Sequence, residues 1–455
     1  MCRMDTTTKL AARVDGPVYA PGDEEYDDRR TGYQLLDPHR PSVVVEAAGP
    51  GDVRAAVEFA AGTGAPLAVQ ATGHGRAASA GGVLVSTRRM SGVRVDPGTR
   101  TAWVEAGATW ARVLEAAAPH GLAPLSGSFP GVGAVSYTLG GGVGLLARRH
   151  GFAADHVRRV DLVAPDGRLH RVTADSDPEL FWGLRGGGGG FGVVTGMEVA
   201  LFPVARIFGG GLVFDAERVP DVLEAWRAWA AGAPEEMTSA VSTLTYPDLP
   251  AMPPPLRGRQ VAQVAVSYAG PAAEGSRLAE PLRALGPVLS DTLRELPFAE
   301  SGTVFDEPAE PHAYRGRNVL VGDLDSGALA GLAKAAGPSA PVMTVAGVRH
   351  LGGALARGPR VPNAVGHRDA VFAVTVLSPV GPGEEDLAGA AHRDALAPFA
   401  GNALGCSLNF SFGPLDADEV RSAFAAADRG RLAALRARLD PHGLLRANHP
   451  VPPAG

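Results

Sequence analysis

Apolar positions along the first 205 residues alternate between a period near two and a period near 3.6. Residues 42–46 (SVVVE), 65–70 (APLAVQ), 82–86 (GVLVS) and 100–105 (RTAWVE) are short β-branched runs and predict strands. Residues 51–60 predict a helix with Asp52 near its start. Residues 109–120 predict another, with Thr109 at the N-cap and Gly121 just past the end. Further on, 157–163 and 169–173 flank the turn Pro165-Asp166-Gly167 and read as a hairpin, followed by a short helix over 178–184 and a strand over 193–201. From about residue 206 the texture changes. Amphipathic helices over 216–231 and 273–285 mix with strands over 260–268, 342–349 and 371–377, and a long helix over 416–439 stops at Asp440-Pro441-His442-Gly443. The order predicts an α+β protein whose second part holds an antiparallel sheet covered by helices. The expected division is a first domain over 1–205, a second over 206–415, and a segment 416–455 that returns to the first.

Composition narrows the chemistry. At 455 residues the chain is long for a single core, and 45% hydrophobic with 20% charged residues is ordinary for a globular protein. A formal charge of −6 offers no footprint for nucleic acid or an anionic membrane surface. The chain has no apolar run long enough to span a bilayer and no apolar secretory core at its start. Its two cysteines, Cys2 and Cys406, are too few for a disulfide framework, and a cytoplasmic location is expected. Lysine is nearly absent (Lys9 and Lys334) beside abundant Arg, Gly, Ala and Pro, the usage of a GC-rich bacterial genome. Schiff-base chemistry would have to use one of two lysines outside any motif.

Glycine is concentrated in three places: Thr72-Gly73-His74-Gly75, the loop 126–144 (SGSFPGVGAVSYTLGGGVG), and 185–192 (RGGGGGFG). Such loops turn backbone N–H groups toward a pyrophosphate, although each alone also reads as a plain turn. The loop 126–144 is too glycine-rich for a regular element and too apolar for a linker, so its N–H groups need partners. Gly187–Gly192 matches G-x-G-x-x-G, but a helix precedes it and a strand follows, the reverse of a dinucleotide fingerprint. There is no Gly-Lys dipeptide for a phosphate-binding loop, and neither HExxH nor paired CxxC for zinc; no metal is expected.

Seven ordered segments carry a resemblance: QATGHG (70–75), RMSGVRVD (89–96), EAGATW (105–110), SYTLGGGVGLLARRHG (136–151), DHVRRVDLVAPDG (155–167), DPELFWGLRGGGGGFGVVT (177–195) and DPHGLLRANHP (440–450). Together they resemble the berberine-bridge-enzyme-like branch of the vanillyl-alcohol-oxidase/PCMH flavoproteins, over about residues 30–205 and again at the C-terminus. The resemblance implies a PCMH-type FAD-binding domain of two α/β pieces, a substrate domain with an antiparallel sheet, and FAD. It places the cofactor against Ala71, Thr72, Gly73, His74, Gly75, Phe129, Val132, Gly133, Tyr137, Thr138, Gly140, Gly141, Gly142, Gly192, Val194 and Asn448. His74 matches the histidine that bonds the flavin 8α-carbon. Many relatives add a second link from a cysteine before Pro-x-x-Gly, but Phe129 stands there, so a single link is implied.

Flavin oxidases remove a hydride while a base takes the O–H or N–H proton. The family's Tyr-x-Asn stretch corresponds to Ser407-Leu408-Asn409, which keeps the asparagine and lacks the tyrosine. His367 is the first substitute for the missing base, because imidazole titrates near neutrality and sits beside Arg368 and Asp369. Tyr314, Arg349 and His350 are further candidates, each also readable as structural. The resemblance implies oxidation of an alcohol of a sugar or secondary metabolite, with a small-molecule substrate and O2 as acceptor. Two alternatives stand beside it: a flavin-dependent oxygenating or cyclising enzyme of secondary metabolism, and a catalytically weak FAD-binding scaffold.

Overall fold

Runs of valine buried on both faces belong in a parallel sheet, and the chain begins with one. The computed structural model describes residues 3–453. Strands β1 (Val18–Tyr19), β2 (Val43–Glu46), β3 (Leu67–Gln70) and β4 (Val83–Ser86) form most of a first sheet, in which β4 lies between β2 and β3 and pairs with both in parallel. Every residue of β2 is buried. The helix Pro50–Thr63 connects β2 to β3. Val53, Ala56, Val57 and Ala60 form its buried stripe at helical spacing, and Gly64, with φ +67°, closes it. Asp52 does not cap this helix by the ordinary N-cap bond; its carboxylate accepts the N–H groups of Asp15, Gly16 and Ala48 and ties down the incoming chain.

The second sheet is antiparallel throughout: β5 (Val93–Asp96), β6 (Thr101–Glu105), β7 (Val157–Val163), β8 (Leu169–Val172) and β9 (Val193–Ala200) lie in the order β5-β6-β9-β7-β8. The helix Pro178–Gly183 packs beside it. Asp177 caps that helix by accepting the Leu180 N–H at 3.0 Å. Thr109 stands at the N-cap of helix Trp110–Ala117, but its hydroxyl makes no capping bond.

The third sheet contains β10 (Arg206–Asp215), β11 (Met237–Thr245), β12 (Gln260–Tyr268), β13 (Val288–Asp291), β14 (Arg294–Pro297), β15 (Tyr314–Val321), β16 (Val345–His350), β17 (Phe372–Pro379) and β18 (Ala403–Gly405). Eight run in the order β13-β10-β12-β11-β16-β17-β15-β18, with β14 on β10. Alternation along each strand gives this sheet two unlike faces. One carries Phe214, Val241, Val264, Val348, Val374 and Val376, which pack with Trp226 and Leu329 of the covering helices Val222–Ala230 and Ser326–Ala335 into a core. On the opposite face, the register aligns Gln263, Ser242, Gly347, Thr375 and Asn318 in one row across five strands. A row of small and polar side chains is not core; it leaves room and hydrogen-bonding groups on that side.

The last strand, β19 (Leu445–Arg446), pairs in parallel with β3 and carries the C-terminus back to the first sheet. Two expectations from the sequence are corrected. The glycine-rich stretch 126–144 contains a helix, Ala134–Leu139, whose i→i−4 bonds satisfy N–H groups that the glycine content had left unassigned. The stretch 416–439 is two helices, Ala417–Ser422 and Ala426–Leu439, because the chain breaks to drive Phe424 into the core beside Val420 and Leu432. Cys406 is a free thiol, and Cys2 lies outside the described residues. Among the described residues no helix is long and apolar enough to cross a membrane.

Candidate active site

His74 stands in the loop that leaves the C-terminal end of β3, the edge of a parallel sheet at which ligand crevices form. Its Nδ1 lies 2.8 Å from the Thr72 hydroxyl, and Tyr33 stacks on the ring at 3.8 Å between centroids and 14° between planes. Phe129 approaches from the other loop at 5.4 Å. Burial, helped by the nearby His312, lowers the His74 pKa to about 4, so the ring is neutral at pH 7. Its Nε2 is buried and has no protein partner among the described residues.

Two clamps fix this loop. Tyr314, the first residue of β15, donates its hydroxyl to the His74 carbonyl at 2.7 Å. From the C-terminal segment, the Asn448 amide donates to the Gly75 carbonyl at 2.8 Å. A cavity of about 390 Å³ opens beside His74, lined by Tyr33, Thr72, Phe129, Gly131 and Arg88 among others.

The second loop meets the first at Gly133, where an added Cβ would lie 3.5 Å from the Cβ of Ala71. It is held from below by backbone bonds from Trp110 N–H to Val132 and from Ala134 N–H to the Ala108 carbonyl. Tyr137 is walled in by glycines, and its hydroxyl is buried without a protein partner among the described residues. The Asn409 amide donates to the Tyr137 carbonyl at 2.9 Å, and its Oδ1 occupies the space above Gly140, where a Cβ would come within 2.1 Å. Gly140 is therefore a glycine because Asn409 docks on its backbone. Gly141 and Gly142 have φ of +105° and +77°, which side chains rarely adopt.

The structure separates the other expected residues. Thr138 spends its hydroxyl on the Ala134 carbonyl inside the helix, and Gly192 and Val194 are packed into the junction of β9 with β7. Ser407 is fixed by its backbone: its N–H donates to Asn318 Oδ1 at 2.7 Å, and its carbonyl accepts from Asn318 Nδ2 at 2.9 Å. His367 does not join the others. Its Nε2–H donates to the Ser422 carbonyl at 2.8 Å, and its ring packs on Gly405, which pairs with Leu320 at the far end of β15. Tyr314 and Leu320 are six residues apart, roughly 20 Å along an extended strand. His350 points to the helix-covered face, where it meets Arg148, Trp226 and Phe372. Its neighbour Arg349 points the other way, between Phe305 and Phe410, with Nη2 3.3 Å from the Ser128 hydroxyl. The stacking of Tyr33, and the placement of Phe305, Glu307, Phe410 and His312, had no motif to announce them.

Comparison with known proteins fits this arrangement. Residues 41–173 match the FAD-binding domain family. The (R)-6-hydroxynicotine oxidase of Paenarthrobacter nicotinovorans is 28% identical over 477 residues, covering 99% of this chain and 100% of that protein. The chain is thus an FAD-linked oxidoreductase by its FAD-binding domain and by its likeness to that oxidase over its whole length. The fold agrees: the berberine-bridge-enzyme-like 1 protein of Physcomitrella patens superposes with a TM-score of 0.85 at 18% identity, covering 99% of each chain. A xylooligosaccharide oxidase of Myceliophthora thermophila, solved with xylobiose, superposes at 0.84 and 22% identity, covering 100% of each.

The cofactor of this oxidoreductase is FAD. Its residues fit that group. Two loops of close-packed backbone converge at Ala71 and Gly133, and His74 Nε2 and Tyr137 Oη, both buried and without a protein partner among the described residues, lie on those same loops. Residues 71–75 and 131–142 would hold the cofactor.

Proposed function

We propose that this oxidoreductase removes a hydride from a carbon bearing a hydroxyl group on a sugar or secondary metabolite, with FAD bonded once, through Nε2 of His74, and with O2 as final acceptor. The observation that carries the reading is the convergence of the His74 loop, the glycine loop and the Ser407–Phe410 turn. FAD supplies the hydride acceptor. The protein supplies the rest. A neutral imidazole held at Nδ1 by Thr72 keeps the Nε2 lone pair free for bonding to carbon. Phe129, in the place of the family's second attachment, contributes a ring rather than a thiol. Tyr314 and Asn409 act as positioning residues, one on the His74 carbonyl and the other on Tyr137 and Gly140.

The proton is handled differently from the expectation. His367 has its Nε2–H committed to Ser422, and Tyr314 is a hydroxyl donor whose pKa burial raises further. Neither offers a free base, so a substrate whose own hydroxyl is acidic suits the site best. A cytoplasmic location is part of the proposal. The deciding experiment is anaerobic mixing of the purified flavoprotein with a panel of alcohols, sugars and phenols while the flavin's visible absorbance is followed. Bleaching without O2 is expected; an enzyme that turns over only when O2 is present, even with an artificial acceptor supplied, would be an oxygenating one.

A further inference from the structure

Arg349 is unusual for its place. The sheet face that it shares with Ser242, Gly347 and Thr375 is otherwise small and neutral around it: Ala240 and Ala373 flank it on the neighbouring strands. Its guanidinium lies 4.5 Å from the Phe305 ring and 5.2 Å from the Phe410 ring. A guanidinium has five N–H donors, yet among the described residues Arg349 makes one hydrogen bond, the 3.3 Å contact to Ser128. The Glu307 carboxylate is 3.9 Å away, beyond hydrogen-bonding distance, on a side chain that is 38% exposed. Of the Arg349 side chain itself, 23% remains accessible. Ser128 adjoins Phe129, which contacts His74, and Phe410 adjoins Asn409, which sits on Gly140; the cation therefore lies where the start of the glycine loop meets the Ser407–Phe410 turn. A desolvated cation with most of its donors unspent binds a planar oxyanion in preference to a neutral group.

We infer that Arg349 is the docking point for an anionic oxygen of the substrate, either a carboxylate or the oxygen of an acidic phenol or enol. The inference rests on the proposed oxidation and gives its substrate a class. The flanking Phe305 and Phe410 rings favour a flat partner, and the loosely paired Glu307 swings away when the substrate's oxyanion takes its place. For a phenol or enol, the guanidinium stabilises the deprotonated oxygen, and the missing tyrosine is not needed.

The test uses the flavin-loaded protein and two probes of equal shape and different charge, benzoate and benzamide, with the flavin's visible spectrum as readout. Benzoate is expected to perturb the spectrum saturably and benzamide to do so far more weakly. Arg349→Met should weaken benzoate about 10- to 100-fold, the range for loss of a charged hydrogen bond, while flavin content stays unchanged. Arg349→Lys should fall between the two, and carries the comparison if Arg349→Met does not accumulate as a flavoprotein. Glu307→Gln should tighten benzoate about threefold by removing a competing carboxylate. Equal responses to benzoate and benzamide, no response to benzoate, or benzoate binding unchanged in the Arg349 variants would each overturn the inference. The two readings fail separately: benzoate binding without reduction by any alcohol or phenol sinks the proposed oxidation alone, and reduction by neutral alcohols with indifference to benzoate sinks the anion site alone.

Discussion

His74 is where the chemistry of single residues is most exposed. Its imidazole is buried and neutral, with one nitrogen on Thr72 and the other without a partner among the described residues, and the proposed single link to FAD uses that free nitrogen. After acid precipitation the yellow colour should stay with the polypeptide; in His74→Ala it should pass to the supernatant, with circular dichroism unchanged. Colour released from the wild-type chain would refute the covalent link and leave FAD binding intact. Tyr137 offers a second check, because its buried hydroxyl has no protein partner among the described residues. Removing an unsatisfied hydroxyl costs little, so Tyr137→Phe should leave the cofactor-free protein's stability within about 1 kcal/mol or raise it. The extra stability conferred by FAD should shrink if the hydroxyl meets the cofactor. Thermal melts with and without FAD give both quantities.

At the scale of elements, the glycine loop and the Ser407–Phe410 turn form one unit, although they are some 270 positions apart. The contact of Asn409 Oδ1 above Gly140 makes a quantitative statement possible. Gly140→Ala puts a methyl where Oδ1 sits and should lower flavin occupancy sharply, whereas in an Asn409→Ala background the same change should cost much less. Such coupling is what a double-mutant cycle measures, with 0.5–3 kcal/mol typical of touching groups. Additive effects would mean that the two residues do not share that space. Strand alternation explains a different division: Arg349 and His350 are adjacent in sequence, yet one faces Phe305 and Phe410 and the other the Trp226 core.

Across the whole molecule, arginines join the sheets. Arg148 reaches the Met237 and Leu351 carbonyls and His350, Arg185 reaches the carbonyls of Val361 and Pro362, and Arg368 pairs with Asp155 at 2.6 Å with both side chains largely buried. A planar fork of donors suits carbonyls and carboxylates in a way that lysine does not, which gives a physical use to the arginine-rich composition. Asp155→Ala strands the Arg368 charge and should cost about 3 kcal/mol, read from the denaturation midpoint. Burial also lowers the pKa of His39, His150, His392 and His449 to about 4 and of His350 to about 3. Unfolded, these rings titrate near 6.5, so between that pH and about 4 the unfolded chain binds more protons. Stability should be full above pH 6.5 and fall as the pH drops toward 4. A melting temperature flat across that window would mean that the rings are not held neutral by burial.

What the sequence determined by itself was local or motif-borne: the strand over 260–268, the Pro165–Gly167 hairpin, the helix over 51–60, the glycine loops, and the ordered segments whose resemblance implies FAD. Those features depend on side-chain periodicity and on φ preferences that neighbouring residues settle among themselves. The break at Phe424 and the helix inside the glycine stretch escaped, because burial against distant residues decided them. Tertiary structure alone decided which side chains share the site. Tyr33 stacks on His74 only because residues 33 and 34 run along the backbone of residues 72 and 73. Sheet register put Arg349 beside Phe410 and left His367 at the other end of β15, and register is fixed by closing long loops, which no short window of sequence records.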